Sequence, residues 1–386
     1  MHHPTSLPLD APPSSPAHDP DQDLAAGRSR RAQHALIDTE PGLPGTVLAA
    51  AAGARKAMLV PVVTALAIGT VFVAVYLAAF HAPSARHQPL GIAASDRVAA
   101  RTELALNNAA PDGYTFYRYA NAEAARQAVT HDKVPAALVA DSRGTRLVVA
   151  GAQGPSTVSS LVAAVATAEG EGKTVPVQDV RPLAAGDSRG LSIFYASFGV
   201  VLAGFLFAVS SYQIAPRLRL AARVISMLVF SAASGVTVAL ISHTAFAAIP
   251  TSFAVVTLLV GMLAWASAAV AGVLLRLFGP IGMPVASVVL LILGNATSGG
   301  ILPATFLPAW LSPLASVMPP AAAVRGLRGA SYFHDAHLAG AVLTLLAWTA
   351  GCLTIQYLMD RSATRRAGRA GAKPHQTAVQ APSLQS

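Results

Sequence analysis

Between Asp187 and Asp335 the chain carries no Asp or Glu. Acid–base catalysis, metal binding and ion coupling all draw on such groups, so this stretch is defined first by the chemistry it lacks. Proton- or sodium-coupled carriers keep an Asp, Glu or His inside a span. Here that leaves His243, near the outer end of an apolar segment, and a histidine at a helix end reads as interfacial rather than as a relay. Coupled transport by this chain alone is therefore not expected. No Gly-x-x-x-x-Gly-Lys-Ser/Thr phosphate loop occurs, so any ATP hydrolysis falls to another polypeptide. There is no His-Glu-x-x-His pair. His2 and His3 lack a third close ligand. The expectation is no enzyme, no catalytic residue, no cofactor and no metal. Cys352, the one cysteine, cannot pair within the chain and reads as a small buried residue.

What the stretch does have is apolar length. Of 386 residues, 53% are hydrophobic and only 12% charged, with a mean hydropathy of +0.52. Soluble domains carry about a quarter charged residues, and the deficit falls in the second half. The net charge of +9 belongs in large part to arginines flanking apolar segments. These are topology signals and headgroup contacts rather than a nucleic-acid surface, so the expected partner is a lipid bilayer and not nucleic acid. Arg55 and Lys56 precede Met58–Phe80, the first span. A cleaved signal peptide is the alternative, but its core should be shorter and its leader briefer. Further spans read as Leu191–Tyr212, Val224–Ala247, Phe253–Leu275, Ile281–Ala296 and Leu338–Met359. Arg217, Arg219 and Arg223, then Arg276, then Arg361, Arg365, Arg366, Arg369 and Lys373 all fall on one side. Six spans with both termini inside satisfy the charge rule.

The remaining regions follow. Residues 1–45, with Arg28, Arg30 and Arg31, read as a disordered cytoplasmic tail; 46–80 is a pre-helix and the first span; 360–386 is a basic disordered tail. Residues 81–190 form one extracytoplasmic α/β domain. Its strands are expected at Tyr114–Tyr119, Val134–Ala140, Arg146–Ala150 and Thr174–Val180, its helices at Ala122–Thr130 and Ser156–Glu169, with Ser156 or Thr157 as N-cap. The fold class is thus an all-α membrane bundle, residues 191–359 plus the first span, with an α/β insert. Small residues at helical spacing (Ala264, Ala268 and Gly272; Gly235 and Ala239) mark faces for close helix packing, and Ser231, Ser234 and Thr237 are placed to hydrogen-bond across helices. The outer segment 297–337 is too apolar for a solvated loop and too rich in Pro and Gly for a span. Pro303, Pro308 and Pro313 break it into short helical pieces. Trp310 suits the headgroup level, in a re-entrant hairpin or in a loop lying flat on the leaflet.

One span, a large outer domain and five more spans resemble the YhgE/Pip branch of the ABC-2-type membrane proteins. Ala122-Glu-Ala-Ala-Arg-Gln-Ala-Val with Lys133-Val-Pro-Ala-Ala-Leu-Val is similar to that family's helix-then-strand stretch. Val180-Arg-Pro-Leu-Ala-Ala-Gly-Asp-Ser-Arg-Gly-Leu-Ser-Ile-Phe-Tyr resembles its approach to the second span. Ser298-Gly-Gly, Leu307-Pro and Met318-Pro-Pro-Ala-Ala-Ala-Val-Arg-Gly-Leu-Arg resemble its segment before the last span. The resemblance covers about Met58–Met359. It implies a multi-pass protein of the bacterial plasma membrane, either an export permease for an amphipathic or lipid-like compound or an envelope protein. In a permease, Pro303, Pro308, Trp310, Pro313, Arg325 and Arg328 would form an outer gate. Arg217, Arg219 and Arg223 would form a cytoplasmic coupling loop, and about Thr46–Lys56 and Gln213–Arg223 would meet a separate ATP-binding subunit. A homodimer is also implied, six spans being half the usual exporter complement. In the envelope reading the outer domain binds a partner or surface polymer and the spans serve as anchor.

Overall fold

Apolar runs of helical length fix most of the architecture. The computed structural model describes residues 44–170 and 174–371. The expected tail up to residue 43, with its arginine cluster, and the last residues with Lys373 lie outside them. The chain divides into two units, Met1–Val63 and Thr64–Ser386. Helix α1 (Pro44–Phe80) begins in the first and ends in the second, so the expected pre-helix is part of one long helix with Pro61 inside it.

Strands β1 (Gln88–Ala93), β2 (Tyr114–Arg118), β3 (Ala136–Asp141), β4 (Gly144–Val149) and β5 (Val177–Asp179) form one sheet in the order β2-β1-β3-β4-β5. Only β3 and β4 are antiparallel, joined by a tight turn; β1 pairs in parallel with both β2 and β3. Helices α2 (Asp96–Ala109), α3 (Ala122–Thr130) and α4 (Pro155–Glu169) supply the crossovers. Alternation along β3 sends Ala136 and Leu138 to one face and Ala137 and Val139 to the other. The first face packs on Leu106 of α2 and on Leu161 and Val165 of α4 as a private core. The second packs on α3 and belongs to the same apolar cluster as the helical body.

Two expectations are corrected here. The N-cap of α4 is Gly154, at φ +99°, with Pro155 opening the helix; the Thr157 hydroxyl instead donates back to the Gln153 carbonyl at 3.3 Å. The central strand β1 and helix α2 were not expected at all, because Pro89 and Gly91 hide a strand that is buried along nearly its whole length.

In the body, α5 (Ser192–Ile214), α6 (Leu220–Ala239) and α7 (Phe253–Phe278) follow, α6 loosening into a π turn at Leu240–Ala245. The Asp187 carboxylate caps α5 by accepting from the backbone of Leu191 and Ser192 at 3.0 and 3.1 Å. Helix α7 is the axis, with Val256, Leu259, Val260, Leu263, Ala264 and Ala268 buried. The small-residue faces do what their spacing predicts. A Cβ on Gly235 would lie 2.3 Å from the Thr257 carbonyl oxygen, so α6 and α7 touch backbone to backbone.

After Phe278 the chain doubles back: a Cβ on Gly282 would lie 2.6 Å from the Leu275 Cα. Helix α8 (Gly282–Ala286), a π turn at Ser287–Leu293 and α9 (Gly294–Ala296) make the return leg. Residues 297–318 then fold as short pieces broken at the prolines: a 3₁₀ turn at Ala304–Phe306 after Pro303, a turn at Pro308, and α10 (Leu314–Val317) after Pro313. Leu307, Leu311 and Ala315 pack on Val75 and Ala79 of α1. Helices α11 (Pro319–Tyr332) and α12 (Leu338–Gly371) end the described chain. Residues 360–371, expected to be disordered, continue α12 as helix.

Among the described residues, five elements can by length and composition cross a membrane: Met58–Phe80, Ser192–Ile214, Leu220–Ala245, Phe253–Ala296 and Leu338–Arg365. With outward-facing Leu66, Val229 and Leu343 each more than 60% exposed, this is the surface pattern of a multi-pass membrane protein.

Candidate functional site

The turn after α3 brings a carboxylate down onto the helical body. Asp132, held at φ +60°, accepts at one oxygen from the Gln153 side-chain amide and at the other faces His337 Nε2 at 3.1 Å. His337, at φ +64°, stands at the head of α12. Burial pushes the Asp132 carboxyl above its ordinary value, and His337 and Arg328 pull it part of the way back. Around this pair the domain is sewn to the segment 297–337. The Arg86 backbone N–H donates to the Thr305 carbonyl at 2.8 Å, and the Thr305 hydroxyl donates to Gln88. Arg181 donates to the Thr130 carbonyl at 3.3 Å and to His334. The Tyr332 hydroxyl accepts from the Ala184 backbone at 3.3 Å.

These contacts enclose a cavity of about 250 Å³ whose wall includes Asp132, Gln153, Thr305, Arg325, Arg328 and His337. The six outer residues singled out from the sequence divide here. Arg325 and Arg328 both face the cavity. Arg325 donates to the Ala315 carbonyl and, at 3.0 Å, to the Ser316 carbonyl, while Arg328 donates to the Gly299 carbonyl at 3.2 Å. Both therefore brace the Pro-rich segment. Pro303 also lines the cavity. Pro308 sits in the turn below it, Trp310 is 57% exposed, and Pro313 is exposed.

A second cavity is apolar. Helices α5 and α6 are both packed on α7 but splay apart, leaving a groove of about 660 Å³ lined by Gly199, Ala203, Ala233, Ser234 and Thr237 among others. Stacked Phe207 and Phe230, 4.5 Å between centroids, join the two helices. Ser234 and Thr237, expected to bond across helices, line this groove instead.

At the far end of the same two helices lie the three loop arginines. Arg217 and Arg219 are exposed. Arg223 is 2% exposed; it lies 3.8 Å over the Tyr212 ring and donates to the Ser211 hydroxyl at 2.7 Å and the Ala215 carbonyl at 2.8 Å. Beside it Arg276 pairs with Asp360, and the Gln356 amide donates to the Ala269 carbonyl at 3.2 Å. His243, read as interfacial, faces the Ile249 carbonyl at 3.2 Å and the Phe253 ring.

Asp132, Gln153 and His337 escaped the sequence reading. Nothing in one dimension pairs a turn in the inserted domain with a residue 205 positions later; the only local signals are His-Asp at 131–132 and His-Asp-Ala-His at 334–337. Comparison with known proteins adds no name: no family model, no curated protein and no solved structure matches this chain.

Proposed function

We propose that the chain is an ABC-2-type-like membrane permease that helps export an amphipathic or lipid-like compound and relies on a separate ATP-binding subunit. The observation that carries this reading is the groove between α5 and α6. Its volume suits a drug-sized ligand, and its lining is mostly apolar with a few hydroxyls such as those of Ser234 and Thr237. The small side chains at Gly199, Ala203 and Ala233 keep it from filling with protein. The reversal at Gly282 supports counting Phe253–Ala296 as two crossings, which makes six with both termini in the cytoplasm of a bacterium. Exposed Arg217 and Arg219 are then the part of the inner loop left for a partner, and a second copy of the chain would complete the exporter.

Ala203→Trp and Ala233→Trp fill the groove from either wall. In cells or inverted vesicles loaded with a panel of amphipathic dyes, both variants should lower export at least fivefold while their thermal midpoints stay near wild type. Export unchanged in both variants would remove the groove from the path and the proposal with it.

The envelope-protein reading has its own support in a polar hollow at the β3–β4 turn, lined by Arg126, Asp141, Arg143 and Arg146. It requires the domain to work apart from the spans. The shared core on the α3 face weighs against that independence.

A further inference from the structure

A carbonyl satisfies a guanidinium's hydrogen but does not cancel its charge. Arg325 and Arg328 are each bonded to carbonyl oxygens only, and among the described residues neither is in an ion pair. Lys133 joins them on the cavity wall. The one acid on that wall, Asp132, has each oxygen already engaged, by Gln153 and by His337. Arg328 is within reach of the charges of Asp132 and Asp187, Lys133 is exposed, and Arg325, half-buried, has no acid near it. Holding partly buried charge without a counter-ion is costly, and the wall leaves a space rather than a side chain where the counter-ion belongs.

We propose that this cavity binds a phosphate-type oxyanion. Guanidinium forks match such an anion in shape as well as charge, and Ser298, whose hydroxyl oxygen accepts from the Gly300 backbone at 3.2 Å, adds a hydroxyl donor to the lining. About 250 Å³ is below the range of pockets for whole drug-sized molecules, roughly 300–1,000 Å³, and admits a headgroup or a small phosphate ester. The cavity borders the Pro-rich segment, so the oxyanion comes either from an anionic phospholipid or from a free phosphate. Asp132 sets the affinity from the other side: it repels the ligand, and its neutralisation should strengthen binding. The site does not depend on the permease reading, since an anchored envelope protein would hold it equally.

The test uses the full chain in phosphatidylcholine nanodiscs, with two probes. One is inorganic phosphate added to the buffer. The other is replacement of part of the lipid by phosphatidylglycerol, with retained lipid counted by native mass spectrometry. Thermal midpoint is read in both. Binding raises the midpoint with ligand concentration. A response to phosphate alone assigns the free ester, a response to phosphatidylglycerol alone assigns the headgroup, and either supports the site. Arg325→Gln with Arg328→Gln should cost at least tenfold in apparent affinity, and Asp132→Asn should gain severalfold. Arg325→Lys with Arg328→Lys, which keeps the charge, should retain part of the binding if the double glutamine variant fails to fold. No response to either probe in wild type overturns the proposal, as does a response that Asp132→Asn leaves unchanged.

Discussion

The two ends of the helical body use the same ingredient in opposite ways. At the end where α5 meets α6, Arg223 is buried with its hydrogen bonds made: it stacks on an aromatic face, donates to a hydroxyl and a carbonyl, and has the Asp360 carboxylate, paired with Arg276, as nearby negative charge. At the end under the α/β domain, Arg325 and Arg328 have carbonyls for company and a cavity in front of them. A saturated arginine holds helices together. An under-neutralised one next to space is poised for a ligand. Position in sequence does not separate the two cases, since all these arginines flank apolar stretches; only their partners do.

The largest expected effect lies at the saturated end. Arg223→Met removes two charge-assisted hydrogen bonds and a cation–π contact from a buried site, and should cost about 2–4 kcal/mol in detergent unfolding. Arg325→Met in phosphate-free buffer should stay within about 1 kcal/mol of wild type, because removing a charge with no acid near it offsets the lost bonds. Equal losses at both positions would dissolve the contrast.

A second test concerns pH at the junction between the α/β domain and the segment 297–337. The raised pKa of Asp132 means that the folded protein holds that proton more tightly than the unfolded chain does. The stability tied to it is present below the ordinary carboxylate value of 3.8 and is lost as pH rises through the higher folded value. Asp132→Asn mimics the protonated form at every pH. Its midpoint should gain on wild type as pH climbs from 4 towards neutrality, by thermal scans in phosphate-free buffer; a constant offset would show that Asp132 is not the group responsible.

The smallest effect is expected where side chains touch nothing. Arg217→Ala and Arg219→Ala should leave stability within about 0.5 kcal/mol. If they change export while stability holds, the inner loop meets a partner there; if they shift the unfolding midpoint, these residues belong with Arg223.

Apolar length carried the membrane elements into view from sequence alone, because lipid imposes one simple demand on composition. Polar positions at helical spacing did the same for α3, bounded at the residues expected, and short apolar runs did so for β3 and β4. What stayed hidden was long-range or disguised. Strand β1 is masked by Pro89 and Gly91; Pro89 is tolerated because it lies near the strand's start, where β2 pairs with it and β3, which begins its pairing at Gly91, does not. The junction of Asp132 with His337 exists only once the domain is set down on the body, so an acid-free stretch proved to have an acid at its surface, lent by the insert.

The contrast between the two ends requires that they stand on opposite sides of a membrane. Single cysteines at Arg143, on the β3–β4 turn, and at Arg219, between α5 and α6, can be introduced with Cys352 replaced by Ser. They are then probed in intact cells with a membrane-impermeant maleimide. Arg143→Cys should label at once and Arg219→Cys only after permeabilisation; labelling of both from outside would contradict the account.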